Sequence, residues 1–244
     1  PHAAAAEDQY KYVTISRTAS FSRQMSRFFK YYINSILARV TKDALAVTIV
    51  YSGGDDVFLV GAWDHILEAA MRIQEDFQTY TCHTLHLSAG ILLKNAKYRR
   101  SASEAAELEA FAKSHDGKNA VTIFEASAQQ TYPWQIFQDK VINEKKNLLE
   151  RFFANQEDAE RGKAFLYRLL DLLRNSEQRI NLARFAYLLA RLEPKKNNPS
   201  YAMYAEFSKQ MYQWYRNPTD RQQLITAIYI YVYQTRTKGD TDRA

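Results

Sequence analysis

The segment VTIVYSGGDDVFLVGAW, residues 47–63, constrains the fold more than any other part of this sequence. Two apolar runs rich in β-branched and aromatic residues, 44–51 and 57–62, flank the tetrapeptide GGDD at 53–56. Glycine and aspartate favour tight turns, and strands separated by so few residues can pair only with each other. The segment therefore predicts an antiparallel β-hairpin.

The regions around the hairpin alternate between helical and strand-like patterns. Apolar residues recur at three- and four-residue spacings from Ser16 to about Arg39, which predicts an amphipathic helix. Its apolar stripe contains Phe21, Met25, Phe28, Phe29, Tyr32, Ile33 and Ile36. The patterns after the hairpin predict a helix capped by Asp64 and ending near Tyr80, a strand over 85–93, a helix capped by Ser103 and ending near Ser114, and a strand over 119–124.

Beyond residue 134 the sequence predicts only helices, over about 136–155, 158–174, 177–192, 201–216 and 219–236. The run LITAIYIYVYQ (224–234) has strand-like propensity, but its neighbours are helical and no partner strand follows, so a helix is predicted. We therefore expect an α+β fold. Residues 1–137 would form a ferredoxin-like βαββαβ palm that lacks its first strand, and residues 138–244 an all-α domain.

The basic charge of the chain is concentrated in the second half. Residues 1–138 contain 14 Lys/Arg and 14 Asp/Glu, whereas residues 139–244 contain 19 and 13. This excess favours an anionic neighbour such as RNA or an acidic protein surface, although a solvated basic surface explains it equally well. The single cysteine, Cys82, is typical of a reducing cytoplasm. No apolar run approaches the ~20 residues that a membrane-spanning helix needs.

The GGDD turn is the candidate chemical site. Asp55 and Asp56 offer hard oxygen ligands, which suit Mg²⁺ or Mn²⁺ carried by phosphates. Gly53 and Gly54 have no side chains, so a triphosphate could approach the backbone closely. Adjacent residues of a regular strand point to opposite faces, but at a turn both carboxylates can converge. The alternative is a solvated turn with no chemistry.

Three sequence segments carry a resemblance to a known family. The motif YSGGDDVFLVGAWD (51–64), followed by HLSAGI (86–91) and AKSHDGKNAVTIF (112–124), resembles the cyclase palm of the large subunit of type III CRISPR effector complexes. Subtype III-A looks closest. The helix TISRTASFSRQMSRFFKYYIN (14–34) resembles the one that precedes the hairpin in that family, and the helical half matches its C-terminal helical domain more loosely.

The resemblance implies an enzyme that joins ATP molecules through 3′–5′ bonds into cyclic oligoadenylates when the complex binds target RNA. Its implied partners are the other effector subunits, the guide RNA and the target RNA. Asp55 and Asp56 would hold Mg²⁺ or Mn²⁺ as the catalytic pair. The implied nucleotide-binding residues are Ser52, which could merely support the turn, Gly53, Gly54, Lys113 and Lys118, each lysine alternatively a solvated side chain.

The chain departs from the family pattern at its start. The family palm opens with a strand that carries another acidic residue, in a pattern like DVDN, whereas this chain has PHAAAAEDQYKYV (1–13). That strand is central, so its loss leaves unpaired backbone groups on two neighbours. We expect it to lie on another part of a longer protein or to be replaced by another segment. Glu7 and Asp8 are acidic, but their context does not mark them as substitutes.

Two other functions fit the hairpin. A bacterial diguanylate cyclase carries a related Gly-Gly-Asp motif, usually followed by Glu-Phe where this chain has Asp56-Val57. The second alternative is a non-catalytic palm that serves as a scaffold for ribonucleoprotein assembly. Exchange of Asp55 and Asp56 for Asn would affect nucleotide turnover only if the turn is a metal site.

Overall fold

The first helical segment is bent by a π-helical turn. In this computed structural model, which describes residues 13–40, 47–93, 101–154 and 159–241, α1 spans Ile15–Arg27, the π turn spans Phe28–Tyr32 and α2 spans Ile33–Val40. The predicted helix is confirmed, but its apolar stripe is buried only in the second half. Phe21 is 54% exposed and α1 buries no residue, whereas the following positions are buried: Phe28, Phe29, Ile33, Ile36 and Leu37.

The predicted hairpin is confirmed. Strands β1 (Val47–Gly53) and β2 (Asp56–Gly61) pair antiparallel, and helix α3 (Trp63–Tyr80) follows directly. The prediction that Asp64 caps α3 is wrong, because the N-cap position lies two residues earlier, at Ala62. Asp64 lies instead in the first turn, where the positive end of the helix dipole favours a carboxylate.

A second sheet of three short strands lies beyond α3. Strand β4 (Ala120–Ile123) is central and fully buried, pairing parallel with β3 (Ala89–Ile91) and antiparallel with β5 (Thr131–Pro133), which the sequence did not predict. The strand predicted over 85–93 is shorter, because the segment before Ala89 forms loop contacts instead. The Ser88 hydroxyl donates to the Lys118 carbonyl (2.7 Å) and the Trp134 indole donates to the Leu87 carbonyl (2.8 Å).

Helix α4 (Ser101–Ser114) packs against β3 at a glycine. A Cβ atom on Gly90 would lie 2.4 Å from the Glu109 amide nitrogen and 2.5 Å from the Ala105 carbonyl oxygen. Both are backbone atoms that cannot rotate away, so only glycine permits this approach. The prediction that Ser103 caps α4 is wrong, since the helix starts two residues earlier.

The remainder of the described chain is helical, as predicted. A turn of helix at Trp134–Ile136 continues as a π-helix (Phe137–Lys146) and then α5. The other helices are α5 (Asn147–Ala154), α6 (Ala159–Arg174), α7 (Arg179–Ala190), α8 (Tyr201–Arg216) and α9 (Pro218–Thr241). The strand-like run 224–234 lies inside α9, which confirms the helix prediction. No described helix is long and apolar enough to cross a membrane.

Two hydrophobic clusters support these elements. The smaller one joins α2 and the π turn before it to α3, with side chains of the hairpin packed against it. The larger one joins the three-stranded sheet to α5–α9. Within the described residues the two sheets share no hydrogen-bonded strand pair. The predicted loss of the first palm strand concerns residues 1–12, which lie outside the described residues. The chain is thus an α+β palm followed by helices, while the predicted boundary at residue 137 stays a prediction.

Candidate functional site

The GGDD motif forms a two-residue turn. Gly53 pairs with Asp56 at the ends of the strands, and the turn residues are Gly54 and Asp55. Gly54 has a φ of 65°, whereas Asp55 is outside the positive-φ region. This sign pattern fits a type II′ turn, whose twist matches that of the strands and which requires glycine at its first central position.

A β-bulge lies just before the turn. The register changes between Ile49 and Tyr51, which face Leu59 and Phe58, so Val50 is the extra residue. Bulges reorient the side chains that follow them and are frequent beside active sites. After the bulge, Tyr51 leans over Gly53, where an added Cβ would lie 2.9 Å from the tyrosine hydroxyl. The sequence offered one signal for this contact, the two-residue spacing that places both on one strand face.

Both carboxylates of the turn are exposed, and a cation lies beside them. Lys113, in the last turn of α4, places its Nζ 3.9 Å from the Asp56 carboxylate and 2.7 Å from that of Glu109. The pKa of Lys113 is raised, chiefly by the hydrogen bond to Glu109 and further by the charges of Asp56 and Asp55, although burial opposes this. The ammonium therefore stays protonated. Glu109 was not predicted from the sequence.

The other predicted nucleotide-binding residues have different surroundings. The Ser52 hydroxyl donates to the Phe29 carbonyl in the π turn, so it ties the hairpin to the first helical segment. Lys118 is exposed and has a φ of 49°, directly after Gly117 at 80°. Its described contacts are through its backbone, because the amide donates to the His115 carbonyl (3.0 Å) and the carbonyl accepts from the Ser88 hydroxyl. No side-chain contact of Lys118 to the hairpin is present among the described residues.

The turn fits a hard divalent cation carried by phosphates. Asp55 and Asp56 are adjacent and exposed, and within the described part of the chain their one salt bridge is the long contact of 3.9 Å between Asp56 and Lys113. Mg²⁺ is typically held by one or two carboxylates, with water and phosphate oxygens completing its shell. Among the described residues, no group of three or more His, Cys, Asp or Glu side chains could hold a metal alone. The two carboxylates therefore suit a shared site rather than a complete protein cage.

Two family models match the chain. The one described as "Cas10/Cmr2, second palm domain" matches residues 3–122, and the one described as "CRISPR RNA silencing complex Cmr2 subunit, second helical domain" matches residues 150–237. The first covers the hairpin and α4, and the second covers most of the helical remainder.

Curated relatives and solved structures agree with these matches. The chain is 43% identical over 237 residues to the "CRISPR system single-strand-specific deoxyribonuclease Cas10/Csm1 (subtype III-A)" of Mycobacterium tuberculosis, and 38% identical over 231 residues to that of Streptococcus thermophilus. Each alignment covers 93% of this chain, which spans only 29% of the length of either relative.

The structural similarity covers most of the chain as well. The alignment with a Csm1-Csm4 cassette in complex with pppApApA covers 87% of this chain and 32% of the matched chain, with a TM-score of 0.57. A Csm1-Csm4 cassette in complex with AMPPNP matches with a TM-score of 0.51, and both structures share 24% sequence identity with this chain. This similarity supports the fold alone.

Proposed function

Because this chain belongs to the Cas10/Cmr2 family of CRISPR proteins, we propose that its palm is a nucleotidyl cyclase, which makes 3′–5′ cyclic oligoadenylates from ATP. In this proposal the activity requires Mg²⁺ or Mn²⁺ and begins when a type III effector complex binds target RNA. The observation that carries the proposal is the position of Lys113, which α4 places beside the two exposed carboxylates of the hairpin turn. A cation next to an acidic pair is what a metal-triphosphate substrate requires.

The turn provides the place where the triphosphate binds. Gly54 adopts the positive φ of the turn and has nothing within 4 Å of a would-be Cβ, so the backbone is open to a ligand. Asp55 and Asp56 would hold the divalent cation. When bound, that cation supplies charge stabilisation at the phosphates and lowers the pKa of an attacking hydroxyl.

Lys113 supports the phosphates in this proposal. Its ammonium is held by Glu109 at 2.7 Å but is only 3.9 Å from Asp56, so a small movement of a flexible side chain would bring it to a phosphate oxygen. Its raised pKa keeps the positive charge at neutral and alkaline pH. Lys118 would approach the same phosphates from the turn that precedes β4.

The overall reaction joins nucleotides and releases pyrophosphate. The 3′-hydroxyl of one ATP attacks the α-phosphorus of the next, a phosphodiester bond forms, and the bond to the leaving pyrophosphate breaks. A final intramolecular step of the same kind closes the ring. The chain itself would bind and orient the two reactants, which accounts for much of the rate enhancement in phosphoryl transfer.

The partners are proposed from the relatives. A similar structure contains Csm1 together with Csm4, which supports assembly of this chain with other type III subunits. Guide and target RNA would contact the complex, and the basic second half of the chain offers a suitable electrostatic surface. We propose a cytoplasmic location for the assembly.

A product assay on the assembled complex tests the proposal. The full-length protein, assembled with its partner subunits and guide RNA, is incubated with labelled ATP or GTP and Mg²⁺ or Mn²⁺, with and without matching target RNA. We expect cyclic adenylates only with ATP and target RNA, and none from the Asp55→Asn/Asp56→Asn variant. Cyclic product from GTP would indicate a diguanylate cyclase instead. No product from either nucleotide, with target RNA bound, would indicate a non-catalytic scaffold.

A further inference from the structure

A cleft separate from the hairpin turn lies at the end of β4 that is farther from Lys118. None of its lining residues belongs to the turn. It measures about 520 Å³ and is bordered by the segment that follows β4, by α6 and by α9. This volume is within the range of small-molecule sites, about 300–1,000 Å³. Clefts beyond the carboxyl ends of parallel strands are a frequent location of such sites.

Aromatic rings dominate one wall of this cleft. Phe124 directly follows β4 and has a φ of 69°, a conformation in which bulky residues are rare. The centre of its ring lies 5.4 Å from that of Tyr229 and 5.9 Å from that of Tyr233. The Phe124 and Tyr233 rings are stacked, with an interplanar angle of 26°. Tyr167 also lines the cleft and is 48% exposed. The left-handed backbone of Phe124 thus directs its ring against two half-buried tyrosines, while Tyr167 is the exposed aromatic residue of the cleft.

A guanidinium group completes the arrangement. Arg174 lines the cleft with its Cζ 5.4 Å from the centre of the Tyr229 ring, and it donates a hydrogen bond to the Tyr229 hydroxyl. No carboxylate of the described chain forms a salt bridge with Arg174. Glu125 and the amides of Gln129 and Gln222 also line the cleft, and they can exchange hydrogen bonds with the edge of a planar ring.

We infer that this cleft binds one nucleotide unit, with its base stacked on the aromatic wall near Tyr167 and its phosphate at Arg174. Aromatic side chains with an adjacent arginine are the combination that binds unpaired bases without strict sequence preference. The unit can be a free nucleotide or part of a single strand, since both present the same chemistry. The inference does not depend on the cyclase proposal, because the cleft is separate from the hairpin.

The test uses full-length protein that carries Asp55→Asn/Asp56→Asn, with EDTA present, so that the hairpin site contributes nothing. Two probes are titrated by fluorescence quenching: 2-aminopurine riboside 5′-monophosphate, and a single-stranded hexanucleotide with one 2-aminopurine. We expect Tyr167→Ala and Arg174→Ala each to weaken binding about fivefold to a hundredfold, as expected for loss of a stacking or phosphate contact.

Two exposed residues outside the cleft provide matched controls. Arg168→Ala, on the same helix as Arg174, and Tyr187→Ala, on α7, should leave the affinity unchanged within about twofold. Binding of the monophosphate would assign a free nucleotide as the ligand, and binding of the hexanucleotide alone would assign a strand. Failure of both probes to bind, or equal binding by the cleft variants and the parent protein with their circular dichroism unchanged, would overturn the inference.

Discussion

At the scale of single residues, Gly54 sets the strictest backbone requirement in the hairpin. It has a φ of 65°, and space alone would allow a side chain, because nothing lies within 4 Å of a would-be Cβ. Its role is therefore conformational rather than steric. Gly53 differs, since a Cβ there would meet the tip of the flexible Tyr51 side chain, which can move.

We expect Gly54→Ala to lower the free energy of unfolding by about 1–2 kcal/mol, the cost of a left-handed conformation for a residue with a Cβ. Gly53→Ala should lose less, because Gly53 has no positive φ and its added Cβ would meet only the tip of the flexible Tyr51 side chain. Urea unfolding followed by circular dichroism measures both. Equal losses for the two variants would contradict a conformational role.

Lys145 is a second residue with a specific role, because its side chain is completely buried. Its Nζ lies 2.9 Å from Asp220 and 2.9 Å from the Gln223 amide oxygen, and 4.8 Å from the centre of the Trp214 ring. These contacts fix the π-helix against α8 and α9. No sequence pattern predicts these contacts, because lysine is rarely buried and its partners lie about 75 residues away.

Lys145→Ala should destabilise the protein by about 3 kcal/mol, since breaking a buried ion pair leaves uncompensated polar groups. Lys145→Met retains the volume and should cost less, because Asp220 is 29% exposed and can be rehydrated. The control Lys140→Met removes an exposed lysine and should leave the melting temperature unchanged. A similarly small effect of Lys145→Ala would show that the buried pair does not stabilise the fold.

At the scale of elements, the contact between β5 and α9 depends on one tyrosine. The Tyr132 hydroxyl lies 2.7 Å from the Thr226 hydroxyl and donates to the Gln129 carbonyl at 2.9 Å. Burial raises the pKa of Tyr132 to about 12, because the phenolate would lose its hydration. β5 itself was missed in the sequence because three residues give no usable periodicity.

This pKa shift predicts lower stability in alkali. An unfolded tyrosine ionises near pH 10, whereas folded Tyr132 keeps its proton up to about pH 12. The contribution of Tyr132 to the free energy of unfolding is therefore fully present below about pH 10. It is lost as the pH rises towards 12, and the loss is about 1 kcal/mol at pH 11. Urea unfolding at pH 8 and pH 11 should show a smaller alkaline loss for Tyr132→Phe than for the parent. Equal losses would contradict the assignment.

The elements also show what the sequence could predict. The hairpin, the long helices and the helical state of 224–234 followed from periodicity and turn chemistry, which depend on neighbouring residues. The predicted cap residues, Asp64 and Ser103, lie after the observed starts of their helices. Several neighbouring residues can occupy a cap position, and the sequence alone does not choose between them. The close approach at Gly90 and the bulge at Val50 could not be predicted, since the first depends on how α4 packs on β3 and the second on the register of the hairpin, and neither leaves a periodic signal in the sequence.

At the scale of the whole molecule, α3 connects the two hydrophobic clusters. Leu67 belongs to the cluster of the three-stranded sheet and the later helices, whereas Ile73 and Phe77 belong to the cluster beneath the hairpin. The candidate site depends on this arrangement, because Lys113 is presented by α4, which packs on the three-stranded sheet, while its neighbour Asp56 belongs to the hairpin. The sequence motifs named both residues, but only the fold shows that they meet.

If the GGDD turn is a metal-dependent nucleotide site, as we propose, it binds Mn²⁺ through its two carboxylates. Free Mn²⁺ is measured by electron paramagnetic resonance with the full-length protein and a non-hydrolysable ATP analogue. We predict that Asp55→Asn/Asp56→Asn weakens Mn²⁺ binding at least about tenfold, because it removes both carboxylate ligands. Asp116→Asn, an exposed aspartate in another turn, should have no effect. Unchanged Mn²⁺ binding by the folded double variant would contradict the claim.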